Sequence, residues 1–112
     1  MGMVKKISRF DVWLIELDPT KGSEIRKTRP CFVVSPDSVN RYLNTITIVP
    51  LTSSLRNYPT RVNCVFQNKN GQAMVDQIRS LDKARLKKKL GVLESRYCKL
   101  ICDTIVEAYN WR

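Results

Sequence analysis

One sustained helical period closes the chain, and short apolar runs cut by turn residues fill the rest. From Ser95 onward Cys98, Ile101, Cys102, Ile105, Val106 and Tyr109 recur at helical spacing, so an amphipathic helix ending near Trp111 must bury one stripe on something flat. Upstream, residues 10–18 read as a strand stopped by Asp18-Pro19, and residues 31–35 as a second strand that follows Pro30 and breaks at Pro36-Asp37. After a short helical or irregular crossing, residues 45–51 are rich in β-branched side chains, with Pro50 marking an edge or bulge. Residues 60–67 alternate, with Val62, Cys64 and Phe66 on one face. The run 68–71 is read as a hairpin turn in which Asn70 and Gly71 take positive φ, and residues 72–82 return as the partner strand. Within that return the apolar phase changes between Val75 and Ile78, as a bulge at Asp76-Gln77 would produce; a strand covered on both faces gives the same pattern. Residues 83–93 then suggest a helical turn and a short strand. The outline is five or six mostly antiparallel strands, two long polar loops and a terminal helix, for which a small, strongly bent barrel is the natural closure.

At 112 residues, 43% of them hydrophobic, the chain has room for one domain, 1–112, with a single core. No apolar run approaches the roughly 18 residues of a membrane span. Arg9 and Asp11 interrupt the start before an export signal could form, and Lys6 stands where a myristoylation motif takes Ser or Thr. A cytoplasmic protein with no membrane partner is expected. Cys31, Cys64, Cys98 and Cys102 lack the spacing of a disulfide framework; with no histidine in the chain they do not complete a metal shell, and they read as reduced, buried thiols. Twenty Lys and Arg against ten Asp and Glu give a net charge of +10, which points to a polyanionic partner, either nucleic acid or an acidic protein.

The missing histidine also removes histidine-based ribonuclease and serine-hydrolase schemes, and there is no glycine-rich phosphate loop. Carboxylates, arginines, hydroxyls and thiols remain. RNA is the substrate for which that set suffices, because its 2′-hydroxyl is a nucleophile already tethered beside the phosphate. The protein then has to accept a proton, neutralise phosphoryl charge and orient the strand, with no cofactor or metal. The first polar loop holds such equipment in one run, Gly22-Ser23-Glu24-Ile25-Arg26-Lys27-Thr28-Arg29-Pro30.

That run, preceded by Asp11-Val12-Trp13 and Leu17-Asp18-Pro19-Thr20-Lys21, resembles the MazF/PemK (Kid-like) toxins of bacterial type II toxin-antitoxin systems. Val33-Val34-Ser35-Pro36, Val49-Pro50-Leu51-Thr52-Ser53, Tyr58-Pro59 and residues 76–83 continue the resemblance in the family's order over nearly the whole chain. It implies a homodimer of SH3-like barrels that cuts single-stranded RNA at short sequences. The expected products carry a 2′,3′-cyclic phosphate and a 5′-hydroxyl, and an acidic MazE-like antitoxin silences the enzyme. The family's catalytic arginine falls on Arg29 and its threonine on Thr52; Glu24 or Asp76 is the candidate proton acceptor. Around them, Lys21, Ser23, Arg26, Lys27 and Thr28 of the first loop are expected to contact RNA. Ser53 and Arg56 of the second loop, with Gln77 and Arg79 beyond, complete that set. Some relatives carry a histidine in the loop or an arginine just before the aspartate, where this chain has Lys27-Thr28 and Met74.

Plainer roles stand beside these. Trp13 reads as a core anchor; Glu16 and Asp18 share a strand face as a divalent-metal pair would, but Asp18-Pro19 reads as turn chemistry; and the cluster 83–89 reads as a solvated face, with tracking of an RNA backbone as the alternative. A gyrase-binding toxin on a related barrel and an RNA-binding module that shields without cutting both need the fold but not Arg29 chemistry.

Overall fold

The computed structural model of the chain describes residues 5–17 and 27–111. Its elements run β1 (Asp11–Glu16), β2 (Thr28–Val33), α1 (Asp37–Tyr42), β3 (Thr45–Thr52), β4 (Arg61–Phe66), β5 (Lys69–Met74), β6 (Arg79–Asp82), β7 (Leu86–Val92) and α2 (Ser95–Tyr109). The strands form one antiparallel sheet in the spatial order β4-β5-β3-β2-β1-β7, with β6 also on β3. Among the described residues no backbone ladder joins the two ends. They meet through side chains instead: Gln67 Nε2 donates to the Leu90 carbonyl at 2.9 Å, and a Cβ placed on Gly91 would lie 3.4 Å from the Phe66 ring. The sheet is therefore barrel-like, with its two ends brought together at Phe66 and Leu90.

Four local expectations are corrected. The first strand starts at Asp11, because Phe10 takes φ 76° and stacks its ring on Phe32 at 5.6 Å. The second begins earlier than residue 31: Thr28, Arg29 and Pro30 pair with Glu16, Ile15 and Leu14, so Arg29 stands on a strand instead of a loop. The hairpin turn is Gln67-Asn68, at φ 51° and 64°, the two successive positive values that a type I′ turn requires. Gly71 lies within the ladder opposite Cys64. It is needed there because a Cβ would sit 2.7 Å from the Thr52 carbonyl oxygen of the neighbouring strand. Finally, the returning segment is two strands, which raises the total to seven. Ala73 faces Leu51 and Arg79 faces Ile48, so residues 74–78 lie across from residues 49–50 alone. The excess is taken up by a 3₁₀ turn, Val75–Gln77, where a bulge was expected. Pro50, with no N–H to donate, falls in this gap.

Both faces of the central strands are buried. Val12, Phe32, Val49, Leu51, Val62, Ala73 and Val75 pack with Leu93, Cys98 and Ile101 beneath α2. Trp13, Ile15, Cys31, Val33, Ile46, Ile48, Leu81 and Leu86 form the opposite cluster. Covering a side chain of this size contributes about 1.5–3 kcal/mol. Trp13 is the expected anchor, its Nε1 donating at 3.1 Å to Oδ2 of the buried Asp11. That carboxylate also accepts from the Ser8 amide and meets Lys89 Nζ at 3.4 Å, so its charge is compensated.

Candidate nucleic-acid interface

The first polar loop leaves and rejoins the sheet where the Leu17 amide donates to the Lys27 carbonyl at 3.2 Å. Glu24, with Lys21, Ser23 and Arg26, lies outside the described residues, as does Asp18. Two residues on, Arg29 projects from β2 with its backbone fixed opposite Ile15. Its Nη1 donates to the Leu51 carbonyl at 3.4 Å, which brings the guanidinium beside the end of β3. The next residue of β3 is Thr52. Its Oγ1 accepts the Ser54 amide at 3.1 Å, an arrangement that uses a lone pair and leaves the hydroxyl proton free to be donated outward.

Two clefts share Thr28 and Arg29 as a common wall. One, of about 560 Å³, is lined by Leu17, Lys27, Thr28, Arg29, Pro50, Gln77 and Arg79. Among the described residues three cations and no carboxylate line it, so the field of those residues favours an anion. Cys31 lies near enough for Arg29 and Arg79 to favour its thiolate, yet burial dominates and pushes the thiol up to about 12, leaving it inert as a nucleophile. The other cleft, of about 380 Å³, opens where the ends of the sheet meet and is lined by Thr28, Arg29, Thr52 and Ser53 together with Phe66, Gln67, Asn70 and Leu90, among others.

The loop after β3 is held by a residue that the sequence pattern did not single out. Gln72 is buried; its Oε1 accepts the Arg56 amide and its Nε2 donates to the Arg56 carbonyl, both at 3.0 Å. A further 2.9 Å bond joins Nε2 to Asn63 Oδ1. The available signal was a buried polar residue on the face shared by Met74 and next to Gly71, which alternation alone assigns to packing. Arg56 itself is exposed and lines neither cleft. Asp76 is also outside both clefts. Its carboxylate is engaged by Arg61 and by the Thr60 hydroxyl, and the Arg61 hydrogen bond holds it below the usual carboxylate range.

The expected residues therefore fall into two groups. Lys27, Thr28, Arg29, Gln77 and Arg79 converge on one cleft, and Thr28, Arg29, Thr52 and Ser53 on the other, while Arg56 and Asp76 are set apart. Phe66, Gln67, Asn70 and Gln72 line the second cleft without having been expected there, and Arg61 stands apart with Asp76.

The family model described as PemK-like, MazF-like toxin of type II toxin-antitoxin system matches residues 8–109. The chain is 33% identical over 103 residues to the protein named Endoribonuclease MazF of Staphylococcus saprophyticus subsp. saprophyticus, covering 87% of this chain and 86% of that protein. To Endoribonuclease MazF of Staphylococcus epidermidis it is 36% identical over 93 residues, 78% of each. Among solved structures, a chain of the MazE-MazF crystal structure (Form-II) from Deinococcus radiodurans superposes with a TM-score of 0.82 at 21% identity, covering 95% of this chain and 97% of that one. That likeness shows the fold.

Proposed function

The chain belongs to the PemK-like, MazF-like toxins of type II toxin-antitoxin systems, and we propose that it is an endoribonuclease that cuts single-stranded RNA by activating the strand's own 2′-hydroxyl. The names of its curated relatives support the activity, and the observation that carries the chemistry is Arg29 at the junction of the two clefts, beside Thr52. In this reading residues 1–112 act as one domain in the cytoplasm, as a homodimer. An acidic antitoxin competes with RNA for the cationic cleft, in keeping with the MazE-MazF complex among its structural neighbours.

The 2′-oxygen attacks phosphorus, the bond to the 5′-oxygen breaks, the departing 5′-oxygen takes a proton from solvent water, and the products are a 2′,3′-cyclic phosphate and a 5′-hydroxyl. Arg29 stabilises the charge that develops on the phosphoryl oxygens; its planar fork suits a phosphate, and its fixed strand position means little reorganisation at the moment of reaction. Thr52 donates its free hydroxyl proton to a phosphoryl oxygen. Lys27, Arg79, Gln77 and Thr28 hold the flanking backbone, with Ser53 on the other side of Arg29. Lys21, Ser23 and Arg26 are assigned to strand contact with them, and Arg56 to a more distant phosphate. Glu24 takes the 2′ proton. Asp76 is better suited to positioning, because its carboxylate is already committed to Arg61.

Purified protein is incubated in EDTA with a long single-stranded RNA, and the product ends are identified beside an Arg29→Ala control. Discrete fragments with cyclic phosphate ends, absent with Arg29→Ala, are expected. Intact RNA would sink the nuclease reading, and activity lost in EDTA would sink its metal-free part. Binding should also weaken steeply between low and physiological salt.

A further inference from the structure

The cleft at the meeting of the sheet ends has features that phosphate binding leaves unused. Its wall beyond Arg29 and Thr52 is made of Phe66 and Leu90, both only partly buried, with the exposed polar side chains Gln67, Lys69 and Asn70 at the rim. Phe66 packs against the core cluster and approaches Gly91, so the ring is held in place while lining the recess. Gln67 is oriented by chemistry. The Leu90 carbonyl can only accept, so it takes the amide nitrogen at 2.9 Å, and Oε1 is left as a fixed acceptor. The Asn70 amide and the Lys69 ammonium make no side-chain hydrogen bond or ion pair among the described residues. An aromatic wall, a fixed acceptor, a free amide and a free cation, all continuous with Arg29 and Thr52, match one planar heterocycle attached to an anionic backbone.

We propose that this recess is a nucleobase subsite, which takes one unstacked base adjoining the phosphate held by Arg29 and Thr52. The inference rests on the cleavage reading for the position of that phosphate. Phe66 supplies the apolar wall, Gln67 Oε1 accepts from a base amine, Asn70 reads the rest of the edge, and Lys69 faces the next phosphate. The fixed acceptor favours a base that carries an exocyclic amine over uracil.

A randomised single-stranded RNA is cut by the wild-type protein and by Asn70→Ala, Gln67→Leu and Phe66→Leu, and the bases flanking each cut are sequenced. Wild type should prefer amine-bearing bases at one flanking position. Asn70→Ala and Gln67→Leu should each flatten that preference roughly tenfold at the same position. Phe66→Leu should raise KM roughly tenfold with kcat kept. Asn70 is exposed and without a side-chain partner among the described residues, so its variant leaves the fold intact if Phe66→Leu does not. An unchanged flanking profile in Asn70→Ala and Gln67→Leu overturns the proposal.

Titration with 2′-O-methyl RNA oligonucleotides, which present bases but no attacking hydroxyl, separates this outcome from failure of the cleavage reading. Base-selective binding that Asn70→Ala removes supports the subsite even if no RNA is cut. Variants that weaken binding of a glutamate-rich peptide and leave oligonucleotide binding unchanged would make the recess a protein-docking site and overturn the proposal.

Discussion

Arg61 and Asp76 meet at two points, Nε to Oδ1 at 2.9 Å and Nη2 to Oδ2 at 3.3 Å, and the Thr60 hydroxyl donates to the same Oδ1 at 3.1 Å. The Arg61 guanidinium carbon also lies 5.0 Å from the Tyr58 ring centroid. The constellation ties the 3₁₀ turn of Val75–Gln77 to the end of the loop that begins at Ser53. A carboxylate so engaged is a weak proton acceptor, since taking up a proton would break the pair.

Asp76→Asn should therefore lower kcat/KM by less than about tenfold, well short of the 10²–10⁴ expected from loss of a general base. The acidic limb of its pH–rate profile should stay where it is in the wild type. A thousandfold loss in kcat with a displaced limb would return the base role to Asp76. Stability has its own signature. The folded carboxyl lies below its unfolded value, mainly through Arg61, so its stabilisation is complete above about pH 4 and is lost as pH falls through the folded value. Acid unfolding of Asp76→Asn should be less steep there, at a cost near neutrality of about 1 kcal/mol.

The strand order was not legible in the sequence, but much of what it joins was. The α2 stripe and the β-branched run of β3 act locally, through periodicity that any window of the chain exposes. The hairpin is legible but the position of its turn is not, because Asn70-Gly71 carries the strongest local turn chemistry, whereas the demand on Gly71 comes from Thr52, a residue of another strand. The motif points to Arg29 while local pattern puts it in a loop, because pairing with Ile15 depends on a partner strand that local propensity does not report. Gln72 and Arg61 were missed for the same reason. Their partners, Arg56 and Asp76, lie 16 and 15 positions away along the chain.

Cys31 offers a test of burial. Its thiol is pushed up from 9.0 to about 12 chiefly by burial. Below about pH 9 the folded and unfolded thiols are both protonated and the buried thiol costs nothing. Above it the unfolded thiol ionises first, so stability should fall by up to about 1.4 kcal/mol per pH unit until the folded value is reached. Cys31→Ala should flatten that alkaline slope in denaturant titrations. At neutral pH an alkylating reagent should mark the half-buried Cys102 before Cys31, read by mass spectrometry of digests; equal labelling in the folded protein would contradict the burial.

Gly71→Ala probes the approach of β5 to β3. A methyl group 2.7 Å from a backbone oxygen has no flexible neighbour to displace, so the strands must separate. A loss of about 1–3 kcal/mol in unfolding free energy is expected. Because Thr52 owns that oxygen, kcat should fall as well, even at temperatures where the variant is fully folded. An alanine variant with wild-type stability and activity would show that the two strands can part freely.

Thr52 separates hydroxyl chemistry from shape. Its Oγ1 accepts from the Ser54 amide, so the hydroxyl is aimed as well as present. Thr52→Ser keeps both donor and acceptor and should retain kcat within about threefold. Thr52→Val keeps the branched shape that suits β3 but removes the donor to the phosphoryl oxygen and leaves the Ser54 amide to solvent. Its kcat should fall about 10²-fold with KM for RNA little changed, as expected when an interaction strengthens only in the transition state. If Thr52→Val instead raised KM and left kcat alone, the hydroxyl would be holding the ground-state strand, and stabilisation of developing charge would rest on Arg29.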